Sequence, residues 1–272
     1  MNFLSNTKPG ETLTHIRNNT PLIWNISNFV SMDIAANALL AVGASPAMAH
    51  AVEEAESFSK ICKATNGALT INIGTFDNYW QQCAIRVANE ANKLNIPWVL
   101  DPVGAGASEF RNKNASELLK IKPTVLRGNA SEIISIANNE GEGKGVDSTS
   151  ASIEAIDAAK SIASYNQIIV AVTGEVDYIT NGDETFSIHG GNSMMTKITA
   201  TGCSLTCLIG AGLTTNQEKI ISTANIMGIY SLVAEIACKD CLGPGSLKVS
   251  LLDSLHNITP KYVDENIKIA KV

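Results

Sequence analysis

Residues 168–172 read Ile-Ile-Val-Ala-Val, an unbroken apolar run rich in β-branched side chains. A strand with no polar alternation is one buried on both faces, and such strands belong to parallel sheets covered by helices on either side. On the N-terminal side of this run, strand-like segments recur at Pro21–Ile26 (PLIWNI), Ala68–Ile73 (ALTINI), Trp98–Leu100 and Thr124–Leu126. Between them, apolar residues fall at helical spacing: Ser31–Val42, which stops at the candidate C-cap Gly43, then 52–64, 78–95 and 114–120. This alternation predicts a three-layer α/β/α fold with a mainly parallel central sheet. After Val172 the rhythm changes. Asp177–Asn181 and Glu184–His189 flank Gly182-Asp183, a hairpin signal that predicts antiparallel strands at one edge. Residues 202–213, 217–238 and 247–256 all read as helices.

No repeat, low-complexity tract or Pro/Ser-rich linker divides the 272 residues, so one domain over 1–272 is expected, with a C-terminal tail from about 259 to 272. The chain has 20 basic and 26 acidic residues, a net charge of −6, which argues against nucleic-acid binding by bulk electrostatics. No apolar run approaches the roughly 18 residues of a membrane span. The N-terminal MNFLSNTKPGETL lacks the basic and apolar regions of a secretory signal. Cysteines at 62, 83, 203, 207, 238 and 241 are too sparse for a disulfide framework and read as reduced thiols of a cytoplasmic protein. Cys238-Lys-Asp-Cys241 has the C-x-x-C form of a redox or zinc site. No second such pair and no His pair accompanies it, so it reads as small residues ending a long helix.

Ligands of an open parallel sheet bind beyond the carboxyl ends of its strands. Neither G-x-x-x-x-G-K-[ST] nor a strand-to-helix G-x-G-x-x-G occurs; the latter absence disfavours a Rossmann dehydrogenase. Gly141, Gly143 and Gly145 lie among Asn, Glu and Lys and read as a surface loop. Thr199-Ala200-Thr201-Gly202-Cys203 precedes the apolar helix SLTCLIGAGL. Free N–H groups at that helix start would attract an anion, Gly202 would let it approach the main chain, and the thiol pKa of Cys203 would fall there. An ordinary helix start with a buried Cys fits the same residues. Asp101, at the head of Asp-Pro-Val-Gly-Ala-Gly, is placed to reach a metal or a phosphate-bound water, or to cap a turn. Arg127 suits a phosphate, while Asn129 and Glu132 have capping-box spacing, which gives Glu132 a structural alternative to metal binding. Thr173-Gly174 suits a nucleotide phosphate or a tight turn. Asn25 can hydrogen-bond a small substrate, and Met48 can pack on an apolar ring or in the core. A carboxylate pair, an Arg, a Thr and an anion nest at successive strand ends are the groups phosphoryl transfer needs.

The segments GASPAMAHA (Gly43–Ala51), DPVGAGA (Asp101–Ala107), LRGNASEI (Leu126–Ile133), VTGEVDYI (Val172–Ile179), TKITATGC (Thr196–Cys203) and GPGS (Gly243–Ser246) follow one another in order. Together they resemble the hydroxyethylthiazole kinases of the ribokinase-like superfamily over roughly residues 10–258. The resemblance implies transfer of phosphate from ATP, with Mg²⁺, to the hydroxyl of 4-methyl-5-(2-hydroxyethyl)thiazole in thiamine salvage. It implies substrate contacts at Asn25, Met48 and Ala200, and ATP contacts at Arg127 and Thr173. It places Mg²⁺ at Asp101 and Glu132, an anion hole at Gly202, and Cys203 beside the substrate hydroxyl. It further implies a homotrimer with sites near subunit interfaces. Relatives acting on sugars and pyrimidines usually carry Asp where Cys203 stands. One departure is Ala200, where the family has Gly. Its methyl narrows the pocket unless the backbone there stays in a region open to L-residues. A kinase of hydroxymethylpyrimidine or of a pyridoxal-like alcohol is the neighbouring reading, and a nucleotide-binding regulator without turnover is a third.

Overall fold

A computed structural model describes residues 7–139, 151–239 and 241–272; the glycines at 141, 143 and 145 lie outside the described residues. The strands are β1 (Leu22–Ile26), β2 (Ser45–Ala47), β3 (Ala68–Asn72), β4 (Trp98–Asp101), β5 (Val125–Asn129), β6 (Ile169–Thr173), β7 (Asp177–Thr180), β8 (Thr185–Ile188) and β9 (Ile269–Lys271). They form one sheet in the order β2-β1-β3-β4-β5-β6-β7-β8-β9. The six strands from β2 to β6 run parallel, and β7, β8 and β9 add antiparallel at the far edge. The mainly parallel sheet and the late hairpin are thus as the sequence predicts.

The helices are α1 (Pro9–Asn19), α2 (Met32–Val42), α3 (Ala55–Ala64), α4 (Asn78–Lys93), α5 (Glu109–Lys120), α6 (Ala130–Asn139), α7 (Ala151–Asn166), α8 (Thr201–Gly212), α9 (Lys219–Lys239), α10 (Pro244–Asn257) and α11 (Pro260–Asn266). One core joins the sheet to α3–α7, around Trp98, Leu100, Trp80 and Ile162. The other joins it to α1, α2, α8, α9 and α10, around Leu13, Leu39, Leu208 and Val233. The two cores lie on opposite faces because the central strands bury every side chain, as the continuous apolar runs require.

Two readings of the sequence are corrected. The segment 259–272 is no loose tail: α11 caps its start with Thr259, and β9 pairs with β8. Helix α5 begins at Glu109 rather than 114; apart from Phe110 its first turn is polar and carries no apolar period, but Ser108 accepts from Arg111 N and fixes the start. The 21 residues of α9 are, by length and composition, long and apolar enough to cross a membrane. Ser, Thr and Asn interrupt that apolar character, and 78% of the stretch is buried inside this fold, as in a core helix.

Strand register sets the level of the polar residues. Asn72 pairs with Asp101 across β3–β4, and Asn129 pairs with Thr173 across β5–β6, so four carboxyl-end residues line up along one rim.

Candidate active site

Asp101 ends β4 and is fully buried. Its Oδ2 accepts from Asn72 Nδ2 and from Thr206 Oγ1 on α8, each at 2.8 Å. Arg127 Nη1 lies 3.6 Å from the same oxygen. Its Oδ1 is buried without a hydrogen-bond partner in the protein. Burial pushes the carboxyl up to about 6; the Arg127 charge opposes this, the Glu132 charge adds to it, and the Thr206 and Asn72 hydrogen bonds oppose it.

Arg127, on β5, spans the rim. Its Nη2 donates to Thr173 Oγ1 at 2.7 Å, while Nε has no partner in the protein. The guanidinium lies against the start of α8 so closely that a Cβ on Gly202 would stand 2.7 Å from both Nη atoms. A side chain at this position would have to displace the guanidinium, a constraint of space rather than of backbone angle. Ahead of it, Ala200 is the N-cap, with φ 65° and ψ 13° and no capping side chain. The added methyl therefore sits in the left-handed region, which L-residues adopt at some strain. The first N–H groups of α8 have no side-chain cap, an arrangement suited to an anion.

Glu132 plays the structural part its spacing allows. Its Oε2 accepts from Asn129 N at 2.9 Å, and Asn129 Oδ1 accepts from Glu132 N at 3.0 Å, a complete capping box. Its Oε1 also accepts from Gly104 N at 2.9 Å, tying β5 to the turn that follows Asp101.

Cys203 lies in the first turn of α8, 3.6 Å from Asn28 Nδ2. The expected fall in its pKa is not found. Burial raises it, the Asp101 charge raises it further, and hydrogen bonds from Asn72 and Asn28 together with the Arg127 charge oppose this. The sequence suggests a helix-start effect, but the tertiary fold sets a buried carboxylate beside the thiol.

The residues expected to meet the substrate divide. Met48 and Ala200 are half-buried and pack against the same core. Asn25 is 1% exposed; its Nδ2 donates to Ile23 O and Ala47 O, and its Oδ1 accepts from Thr70. All its polar atoms are engaged within the sheet, so the geometry gives Asn25 a packing role. A cavity of ≈ 680 Å³ opens beside this cluster, lined by Arg127, Thr173, Gly174, Asp177, Gly191, Ser193, Thr201, Gly202 and Tyr230 among others. Its size is that of a small-molecule site. Asp177 is pushed up to about 6 by burial, against a hydrogen bond from Gly174 N and the Arg127 charge.

Sequence reading missed Asn72, Thr206 and Tyr230. Asn72 ends a buried strand as Asp101 does, which was a usable signal. Thr206 and Tyr230 sit inside apolar helices, and only their tertiary contacts, to Asp101 Oδ2 and to Thr201 O, reveal them. Cys238 and Cys241 are free thiols at the end of α9; Cys241 Sγ lies 3.6 Å from Met194 Sδ. Among the described residues no cluster of three or more His, Cys, Asp or Glu forms a metal cage.

A sequence model of the Hydroxyethylthiazole kinase family matches residues 13–261. A hydroxyethylthiazole kinase from Rhizobium rhizogenes is 44% identical over 264 residues, 97% of each chain. One from Zea mays is 43% identical over 95% of this chain and 91% of its own. Among solved structures, the hydroxyethylthiazole kinase of Pyrococcus horikoshii OT3 superposes with a TM-score of 0.90 at 37% identity, covering 97% of this chain and 98% of that one. A Staphylococcus aureus pyridoxal kinase superposes at 0.64 with 14% identity, over 93% of this chain and 99% of that one, a likeness of fold alone.

Proposed function

The chain belongs to the hydroxyethylthiazole kinase family, and on that ground we propose that it transfers the γ-phosphoryl group of ATP to the hydroxyl of 4-methyl-5-(2-hydroxyethyl)thiazole in thiamine salvage. The observation that carries this reading is the meeting of Arg127, Thr173 and the uncapped start of α8 at Gly202, with Asp101 beside them. Phosphoryl transfer asks for alignment and charge neutralisation rather than covalent chemistry, and this cluster supplies both.

Arg127 and Thr173 hold the phosphates in the cavity. The N–H groups around Gly202 receive negative charge as it spreads over the transferring group. Met48 and Ala200 border the thiazole. Cys203 stands at the acceptor hydroxyl. Its pKa lies above the ordinary thiol value, so it is a neutral thiol at pH 7 and orients the hydroxyl rather than removing its proton. In a loose transition state that proton leaves late, and no strong base is required.

Mg²⁺ fits the donor set. Asp101 Oδ1 is a buried acceptor without a protein partner, and Glu132 is the second carboxylate at this rim. Two carboxylates suit a metal that keeps waters and takes its other ligands from phosphates. When bound, Mg²⁺ neutralises charge on the phosphate oxygens. We assign the whole chain to a single kinase domain working in the cytoplasm, with the homotrimer implied by the family as its assembly, to be checked by sedimentation.

The deciding experiment follows ATP consumption with hydroxyethylthiazole, hydroxymethylpyrimidine and pyridoxal, each with and without Mg²⁺. The reading expects Mg²⁺-dependent turnover of the thiazole above the other two. Preference for either other alcohol overturns the substrate assignment, and no turnover with any of them overturns the kinase assignment.

A further inference from the structure

Asn28 and Asn72 form a chain of side-chain amides behind the site. Both are buried. Asn28 Nδ2 donates to Asn72 Oδ1 at 2.7 Å and faces Cys203 Sγ at 3.6 Å. Asn72 Nδ2 donates to Asp101 Oδ2 at 2.8 Å. On the acceptor side, Asn28 Oδ1 takes the N–H groups of Val30 and Ser31, each at 3.0 Å. Asn72 Oδ1 takes Gly74 N at 2.9 Å as well as Asn28. A side-chain amide has two N–H donors and two acceptor lone pairs. Asn28 engages all four and Asn72 three, and the backbone N–H groups fix which way round each amide lies. Flipping either would set an NH₂ group against an N–H donor.

The chain links groups from separate elements: Asp101 from β4, Cys203 from α8, and the turn that opens α2. Neither amide lines the cavity. We propose that Asn28 and Asn72 are positioning residues that hold the Cys203 thiol and the Asp101 carboxylate in register with one another for transfer, acting in series. The proposal rests on the kinase reading above. Its physical basis is that transfer depends on alignment, where a displacement of about 1 Å can lower the rate on the order of 10²-fold. A merely structural pair of buried amides would affect stability and leave the turnover of folded protein unchanged.

The test uses Asn28→Ser, Asn72→Ser and the double variant of the full-length enzyme. Each is melted thermally and assayed with hydroxyethylthiazole and ATP at saturating Mg²⁺. In Asn28→Ser the shorter hydroxyl would still accept from the N–H groups of Val30 and Ser31 yet fall short of Asn72. The expected result is kcat lowered on the order of 10–100-fold in each single variant. KM for ATP should stay within about twofold of wild type, because the nucleotide contacts are untouched. Acting in series, the double variant should be no slower than the slower single one. If Asn28→Ser does not fold, Asn28→Asp keeps the acceptor oxygen, loses the donor and carries the same expectation. Folded single variants with wild-type kcat overturn the positioning role, and so do losses that multiply in the double variant. A wild-type protein that leaves hydroxyethylthiazole unphosphorylated overturns the kinase reading, and the positioning role with it.

Discussion

Asp101 illustrates how a functional group can weigh against the fold that holds it. Its carboxyl titrates at about 6 in the folded chain against an ordinary 3.8, so the folded state binds that proton more tightly than the unfolded one. The stability it contributes is therefore complete below pH ~4 and is lost as pH rises through about 6. The whole rise corresponds to a cost on the order of 3 kcal/mol for the ionised form at neutral pH. Asp101→Asn keeps an oxygen for Asn72 and Thr206 and removes the buried charge. In thermal melts of the ligand-free protein, the variant should melt above wild type at pH 7.5. That advantage should vanish at pH 4, while kcat falls on the order of 10³-fold. A variant that melts lower at pH 7.5 would show that the Arg127 pairing outweighs the desolvation. Glu132 differs, because both its oxygens accept backbone N–H bonds. Gln can serve a capping box, but it has only one oxygen and here would turn an NH₂ group toward an N–H. Glu132→Gln should thus lose about 1–3 kcal/mol in denaturant titration, besides weakening the Mg²⁺ dependence of turnover. Unchanged stability would mean that the turn after Asp101 relaxes without cost.

Helix α8 concentrates the chemistry because of how it is made. Small residues let it lie close on β1, β3 and β4. A Cβ on Gly210 would come within 2.8 Å of Thr70 Cγ2, so Gly210→Ala should destabilise by about 1–3 kcal/mol in a melt, through overpacking. Close packing brings the helix start to the rim of the sheet, where Arg127 meets Gly202 and Thr206 reaches Asp101. The chain enters this helix through Ala200 in the left-handed region, at φ 65°. Left-handed geometry costs a non-glycine residue roughly 1–2 kcal/mol, offset in part by the greater unfolded-state entropy of glycine. Ala200→Gly should accordingly raise stability by up to about 1 kcal/mol. It should also lower KM for the thiazole, on the proposed placement of the methyl beside that ligand. A rise in KM would show that the methyl makes a favourable contact with the substrate.

The assembled sheet depends on the chain's last residues. β9 covers the edge of β8, with Ile269 and Ala270 buried. Helix α11 is anchored across the chain by Asp264 Oδ1, which accepts from Gly10 N at 2.7 Å. Truncation after Ile258 would uncover the edge of β8 and unseat α1. The truncated protein should melt at least about 10 °C lower, or aggregate through the freed edge, as followed by light scattering during heating. A truncated chain that melts with the full-length one would show that β9 adds nothing to the sheet.

The layered architecture was legible in the order of residues alone, since a strand buried on both faces must be apolar throughout and a covering helix must carry an apolar stripe. So were Asp101, Arg127, Thr173 and Gly202, which stand at element ends where polar and small residues interrupt those patterns. Segments whose burial depends on distant partners were illegible: β9 is three residues long and takes its strand character from β8, and the start of α5 is polar apart from Phe110. The electrostatics of the site came from the folded arrangement. The Cys203 thiol is raised first by burial and then by the charge of Asp101, a residue 102 positions away in sequence. The same folding engaged Asn25 within the sheet and drew Asn28 and Asn72 to Cys203 and Asp101. Local periodicity reports which face of an element is buried. Charge, hydrogen-bond partners and pKa depend on which other elements arrive at the same point, and that is settled when the sheet closes against α8.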